Sequence, residues 1–362
     1  MTPAPDFTDW LELRPFQFGS DQKEIMMKDA LLALTQWHQS VCSEYKKIID
    51  LFNVDLNNIR TLEDIPFIPV RLFKEFDLRN NSADEIFKTM TSSGTSGQEV
   101  SKIHLDRYTA SLQTKILSKI MADLLGSKRL PMLVIDSPSV VKNRRSFSAQ
   151  GAGILGFSMF GQDVTYALDE SMAIDWKAIT VFLARHTGDP IFVFGFTFMI
   201  WQYFVLPLVR ENKTFSLENA ILLHGGGWKK LSEQAVDNET FKSTLRTQTG
   251  LKKVVNYYGM VEQTGSISIE CDQGNLHVPI YSDVVVREPG SFAVTKNGEE
   301  GIIETLSILP RSYPGHALLT EDLGVILGED DCPCGRLGKY FRVNGRLARA
   351  EIRGCSDTHE AS

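Results

Sequence analysis

Positive charge is in short supply in this 362-residue chain. Lys and Arg number 38 against 45 Asp and Glu, a formal net charge of −7. A nucleic-acid surface needs clustered basic residues, so no nucleic-acid partner is expected, and the local run VKNRRSF reads as a solvated face. Cysteine is sparse and odd in number, at Cys42, Cys271, Cys332, Cys334 and Cys355, without framework spacing. That excludes a secreted disulfide scaffold. The opening MTPAPDFTDWLEL lacks a basic stretch followed by an apolar one, so no export signal is expected and the expected location is cytoplasmic. G-x-S-x-G and H-E-x-x-H are absent, which removes the usual marks of serine hydrolases and zinc proteases. Repeats and low-complexity segments are absent too. One long apolar run exists, Ile191 to Val209, IFVFGFTFMIWQYFVLPLV. Its length would suit a membrane span, but Gly195, Thr197 and Pro207 interrupt it. We read a buried strand at Ile191–Phe194, a turn, and a buried helix from about Thr197, with no membrane span.

At 43% hydrophobic and 23% charged, the composition is that of a globular protein of one large domain or two. Residues 1–88 are expected to be mainly helical, because DQKEIMMKDALLALTQWHQSVCSEYKKIIDLFN spaces its apolar residues helically. IPFIPVRLFKEF follows, and its two prolines predict an extended segment or turn. From Lys88 short apolar runs (PMLVID, IFVFGF, NAILLHGGG, KKVVNYYG) alternate with helical windows, which predicts an α/β core. From about Cys271 the runs LHVPIYSDVVVRE, FAVTK and EEGIIETLSIL are more strand-like. The tail from Phe341 is basic and glycine-punctuated.

Against that background several motifs carry chemistry. TMTSSGTSGQEVSK, from Thr89, joins small residues, hydroxyls and Lys102. It is not G-x-x-x-x-G-K-[ST], since Glu99 stands five places after Gly94. Its backbone N–H groups and the hydroxyls of Thr91, Ser92, Ser93, Thr95 and Ser96 nonetheless suit an anion, although a plain surface loop has the same composition. GAGILG, Gly151 to Gly156, fits G-x-G-x-x-G but follows the polar VKNRRSFSAQ rather than a strand. A close-packed helix start is expected there instead of a dinucleotide site. HGGGWKK and NYYGMVEQTG each follow an apolar run, so Gly225, Gly226 and Gly227 in one, and Tyr257, Tyr258, Gly259 and Glu262 in the other, fall at strand ends, where α/β sheets bind ligands. A simple glycine turn and an exposed acid are the plain alternatives. Cys271, His277, Cys332 and Cys334 form a Cys3His set, suited to a closed tetrahedral zinc site. Asp322 and Arg342 are further candidates, and His104, His224 and His316 lie near motifs without an identifiable partner.

The order TSSGTSG, HGGGW, NYYGMVEQTG, LTEDLG and NGR resembles the adenylate-forming superfamily of acyl-CoA synthetases, luciferases and phenylacetate–CoA ligases. The resemblance implies a phosphate loop at Ser92, Ser93, Gly94, Thr95, Ser96 and Gly97, and adenine held by the glycine and tyrosine elements. It also implies magnesium through Glu262 and ribose contacts from Asp322 and Arg342. The Cys–His–Cys–Cys set resembles the structural zinc site of the phenylacetate–CoA ligase branch. FGFTFMI, HGGGWKK, YPGHALLTEDLG and RAEIRGCSD carry the likeness further. They resemble the acyl-protein synthetases, the LuxE-type component of bacterial fatty-acid reductases, and this likeness spans nearly the whole chain. The implied fold is an α/β adenylate-forming large domain with a helical N-terminal region and a β-rich C-terminal part. The mobile C-terminal domain is missing or reduced to a short tail. The expected divisions are residues 1–88, 89–340 (zinc-bearing and β-rich from about 266) and 341–362.

The implied reaction uses ATP and Mg²⁺ to turn a carboxylic, fatty acid into an acyl-adenylate. The acyl group then moves to Cys355 as a thioester, for an acyl reductase partner. Arg353, Arg349 and Arg346 near Cys355 would raise its thiolate fraction. The lysine usually supplied by the missing domain has no counterpart, leaving Lys102 or another group to serve. FVFGFTFMIW and GILGFSMFG are candidates for the acyl pocket and equally for core. A coenzyme A ligase and a non-catalytic ATP-binding partner are the alternative readings.

Overall fold

The computed structural model describes residues 3–92, 100–141, 149–228 and 235–347. Uninterrupted helix formers give α1 (Ser20–Val41) and α2 (Ser43–Phe52), separated only by the extended Cys42. Met27, Leu31 and Leu34 of α1 are fully buried at helical spacing. The proline-bearing segment then gives β1 (Ile68–Pro69) and the single turn α3 (Leu72–Glu75). A separate antiparallel ribbon, β2 (Lys88–Thr91) and β3 (Lys102–Leu105), places Thr91 opposite Lys102. α4 (Arg107–Leu125) begins on Asp106, whose carboxylate accepts from the Thr109 N–H, and ends at Gly126 with φ 81°.

A twelve-stranded sheet follows, in two halves. β4 (Leu130–Val134), α5 (Ala149–Ser158), β5 (Gly161–Tyr166), α6 (Trp176–Arg185) and β6 (Ile191–Phe196) begin the parallel half. It continues through α7 (Thr197–Ile200), α8 (Leu206–Glu211), β7 (Ala220–Gly225), α9 (Asn238–Thr249) and β8 (Lys253–Tyr258). These strands lie in the order β5-β4-β6-β7-β8. Alternate residues face opposite ways: Phe192 and Phe194 join a core with Leu31 and Ile116, while Ile191 and Val193 join one with Phe204, Leu222 and Phe241. The second half is antiparallel. From β8 it passes through β9 (Ser268–Glu270), β10 (Leu276–His277), β14 (Lys339–Arg346), β13 (Ala317–Glu329), β12 (Gly301–Ser307) and β11 (Ser282–Arg287). β1 pairs with β13 in parallel, Ile68 opposite Leu318.

Two local expectations need correction. No turn separates β6 from its helix: the strand runs through Phe196 because Gly195 pairs opposite His224, and a Cβ there would lie 2.9 Å from Ile200. The helix widens into a π turn at Trp201–Val205 ahead of Pro207, which has no N–H to donate. FAVTK forms only an isolated bridge, Arg287 opposite Val294. β14 runs unbroken across the 340/341 boundary, held by thirteen-residue β13. No helix among the described residues is long and apolar enough to cross a membrane.

Candidate active site and metal centre

The carboxyl ends of β6, β7 and β8 lie side by side, since Phe196 pairs opposite Gly225 and Gly225 opposite Tyr257. Glycine is required there for two reasons. A Cβ on Gly225 would approach the Tyr257 carbonyl to 2.8 Å, and Gly226, at φ 80°, would meet the Phe196 ring at 2.8 Å. The Phe196 ring also sits against Gly153 of α5, at 2.9 Å from where a Cβ would be, so GAGILG packs a helix against the sheet. Tyr257 leans on Phe157, with ring centroids 5.1 Å apart. His224 is buried, its Nδ1 3.0 Å from the Thr197 hydroxyl, which itself donates to the Gly225 carbonyl at 3.0 Å. Burial pushes this imidazole down to about 3, so it is neutral at ordinary pH.

From β8 the chain enters the YYGMVEQ turn. The Tyr258 hydroxyl donates to Asp322 Oδ2 at 2.8 Å, and burial together with the Asp322 charge keeps that phenol protonated. The other Asp322 oxygen accepts from Arg346 Nε at 3.1 Å. Asp322 therefore holds two donors where the resemblance places two ribose hydroxyls. Arg342 lies opposite Val325, four residues along β14 from Arg346, which pairs opposite Asp322. The arginine beside Asp322 is therefore Arg346, a register that spacing alone does not reveal.

Glu262 sits in the short turn Val261–Gln263, which Gln263 anchors by donating to the carbonyls of Thr305 (3.0 Å) and Gly315 (2.8 Å). Its side chain is only 6% exposed in a residue type that is normally solvated. Burial raises its carboxyl above the usual range, against the hydroxyl of Ser101 and the charges of Lys74 and Arg346. Ser101 closes the neck of the hydroxyl-rich loop: its N–H donates to Ser92 Oγ (2.9 Å) and its carbonyl accepts from Ser92 N–H (3.1 Å). Ser93, Gly94, Thr95, Ser96 and Gly97 lie outside the described residues, as do Arg349, Arg353 and Cys355. Lys102 is exposed at the start of β3, and its ammonium makes no ion pair or hydrogen bond among the described residues. Thr197 lies within FGFTFMI, but its bond to His224 comes from the packing of distant segments.

The four metal-site candidates converge from three separate stretches of chain. Their ligand atoms all lie within 4.8 Å of one another. Cys271 Sγ is 3.9 Å from Cys332 Sγ, and Cys334 Sγ is 3.3 Å from His277 Nε2. A tetrahedron with roughly 2.3 Å metal–sulfur bonds has sulfur–sulfur edges of about 3.8 Å, so the cage fits zinc. Burial, with the charges of Arg336 and Lys23, pushes His277 down to about 4, leaving it in the neutral form a metal needs. Cys332 is 5% exposed, and Cys271 and Cys334 are half-buried, which shields the cage. His104 bonds the Thr89 hydroxyl (2.9 Å), and His316 the Thr35 hydroxyl (2.8 Å), so neither belongs to this cage or to the strand-end site.

Comparisons with known proteins bear on the fold and the family. A 2-hydroxyisobutyryl-CoA ligase, solved in an open conformation with its acyl-AMP and CoA, superposes with a TM-score of 0.69 at 15% identity, covering 92% of this chain and 77% of that one. This likeness is one of fold, an adenylate-forming α/β architecture. The long-chain-fatty-acid–luciferin-component ligase of Vibrio harveyi is 23% identical over 94% of this chain and 89% of its own length. That of Aliivibrio fischeri is 23% identical over 93% and 88%. A sequence profile for the acyl-protein synthetases, LuxE, matches residues 6–361, and the chain belongs to that family.

Proposed function

We propose that this chain activates a long-chain fatty acid with ATP and Mg²⁺ and carries the acyl group on Cys355 for a reductase partner. The observation that supports it best is the convergence of buried Glu262, Asp322 with its Tyr258 and Arg346 donors, and the glycine-lined ends of β7 and β8. Adenine would lie against Gly225–Gly227 and Tyr257, where the backbone can approach a flat ring. The ribose hydroxyls would replace donors that Asp322 already attracts. Mg²⁺ accompanying ATP would find its protein carboxylate in Glu262, offsetting charge on the phosphates. The hydroxyl-rich loop closed by Ser92 and Ser101 would add N–H and O–H donors to the same phosphates.

Thioester formation needs a nucleophile at neutral pH. Cys355 stands among Arg346, Arg349 and Arg353 in sequence, and guanidinium charge favours its thiolate. Cys42 is unsuited: burial raises its thiol pKa, keeping it protonated. Zinc in the Cys271–His277–Cys332–Cys334 cage would be structural, because four protein ligands leave no open position.

Acid-dependent ATP–pyrophosphate exchange tests the first half-reaction. Wild-type protein should exchange only with a fatty acid and Mg²⁺ present. Glu262→Gln should remove most of the exchange, since shape is kept and a charged ligand lost. Wild-type rates in that variant would defeat the assignment of Glu262.

A further inference from the structure

Adenylation needs a cation near the reacting phosphate, and the N-terminal region carries a candidate on α3. β1 is fixed against β13 by the Val70 N–H, which donates to the Leu319 carbonyl at 2.9 Å, three residues before Asp322. α3 follows at once. Its Phe73, 2% exposed, packs with Ile103 and Leu105 of β3 and with Tyr313 and Leu318. Thus α3 is wedged between the strand that leaves the hydroxyl-rich loop and the strand that leads to Asp322. The next residue, Lys74, is half-buried.

The local charges leave this lysine available. Glu75, its neighbour, is taken by Arg71 at 3.1 Å, an i,i+4 pair. Among the described residues the Lys74 ammonium makes no ion pair and no hydrogen bond. Its positive charge nevertheless reaches the buried Glu262 carboxyl, as does that of Arg346. Neither cation bonds to Glu262 among the described residues; Arg346 is held by Asp322 instead. A half-buried ammonium with no bonded partner among the described residues is available to an anionic ligand.

We propose that Lys74 is a catalytic cation of the adenylation step, its ammonium contacting the acid carboxylate and the α-phosphate beside Glu262. The inference rests on the function proposed above. In the step, a carboxylate oxygen forms a bond to the α-phosphorus, and the bond from that phosphorus to the pyrophosphate oxygen breaks. Pyrophosphate leaves with the electron pair; no proton moves and nothing is oxidised. Negative charge builds on the oxygens around the five-coordinate phosphorus, where an ammonium lowers the barrier.

The test is ATP–pyrophosphate exchange by the full chain with Lys74→Met and Lys74→Arg, alongside ATP affinity by equilibrium dialysis and melting temperature. Lys74→Met should slow exchange by about a hundredfold, the scale seen when one charge-stabilising donor is removed, while ATP affinity stays within about threefold. Lys74→Arg should recover a substantial part of the rate, and both should melt with the wild type. Should Lys74→Met fail to fold, Lys74→Gln takes its place in the same comparison. Wild-type exchange in the neutral variant would overturn the proposal. So would equal losses in the Met and Arg variants accompanied by lowered melting, which would mark a structural role. Absence of exchange in the wild type would instead remove the underlying reading, and this inference with it.

Discussion

The two halves of the large sheet solve burial differently. In the parallel half, β4 and β6 are buried along their whole length and β7 at all but Ile221, and they are almost wholly apolar, as LPMLV, IFVFGF and AILLHG. Helices cover both faces, so nothing polar needs a partner until the strands end. In the antiparallel half β11 is equally buried but reads SDVVVR, with a charge near each end. Asp283 there is held between Lys23 (3.2 Å) and Lys339 (3.4 Å), and Arg287 pairs with the buried Glu304 of β12. The Cys3His cage adjoins the same region. The parallel half thus keeps its polar chemistry at the strand ends, while the antiparallel half depends on internal polar pairs that must be complete.

That contrast predicts where the chain is fragile. The largest effect should come from the metal cage. Cys332→Ser with Cys334→Ser should abolish zinc binding, measured by elemental analysis. It should also lower apparent stability by several kcal/mol, since structural zinc is worth roughly 10 kcal/mol or more in small domains. Full zinc content in the double variant would refute the cage. Next in size is Asp283→Ala, which leaves Lys23 and Lys339 buried without their shared partner. Breaking a buried pair this way costs about 3–5 kcal/mol, readable as a lowered urea midpoint. A loss no greater than that of a surface carboxylate would show that water reaches the site.

Acid should act on a third buried set. His38 stacks on His316 at 4.9 Å between rings and bonds Pro310 and Asn80, with Tyr45 alongside. Burial pushes His38 from 6.5 down to about 4. The unfolded chain therefore binds a proton below pH 6.5 that the folded chain refuses. Stability should be intact above that pH and fall as pH drops toward 4, by about 3 kcal/mol for this group alone. His38→Gln should flatten the dependence; an unchanged slope would assign it elsewhere. The smallest effect belongs to the strand-end site. Tyr258→Phe removes one donor to Asp322, worth about 1 kcal/mol or roughly fivefold in the KM for ATP. An unchanged KM would separate Tyr258 from nucleotide binding.

The same contrast explains what was legible in the sequence. The apolar runs of β4, β6 and β7 and the helical spacing of α1 announced themselves, because hydrophobic period is the strongest local signal. HGGG and YYG were placed at strand ends for the same reason. The polar pairs were silent. Lys23 lies 260 residues from Asp283, and nothing local marks either. β13 and β14 were read as ligand motifs and a tail, although together they carry Asp322 to Arg346 by register. Their glycines and charges hide the strand pattern, and with it the register that sets Arg346 opposite Asp322. The cysteines and His277 were legible as a set through their chemistry, not through finger-like spacing.

The central claim is that acid activation and acyl capture occur on one chain, at separable groups. Its most direct measurement gives radiolabelled long-chain fatty acid and ATP to wild type and to Cys355→Ser, and follows label on a denaturing gel and pyrophosphate exchange in parallel. Wild type should carry label that neutral hydroxylamine removes; Cys355→Ser should carry none yet exchange pyrophosphate at the wild-type rate. Label retained on Cys355→Ser, or a folded Cys355→Ser protein that no longer exchanges, would contradict the account.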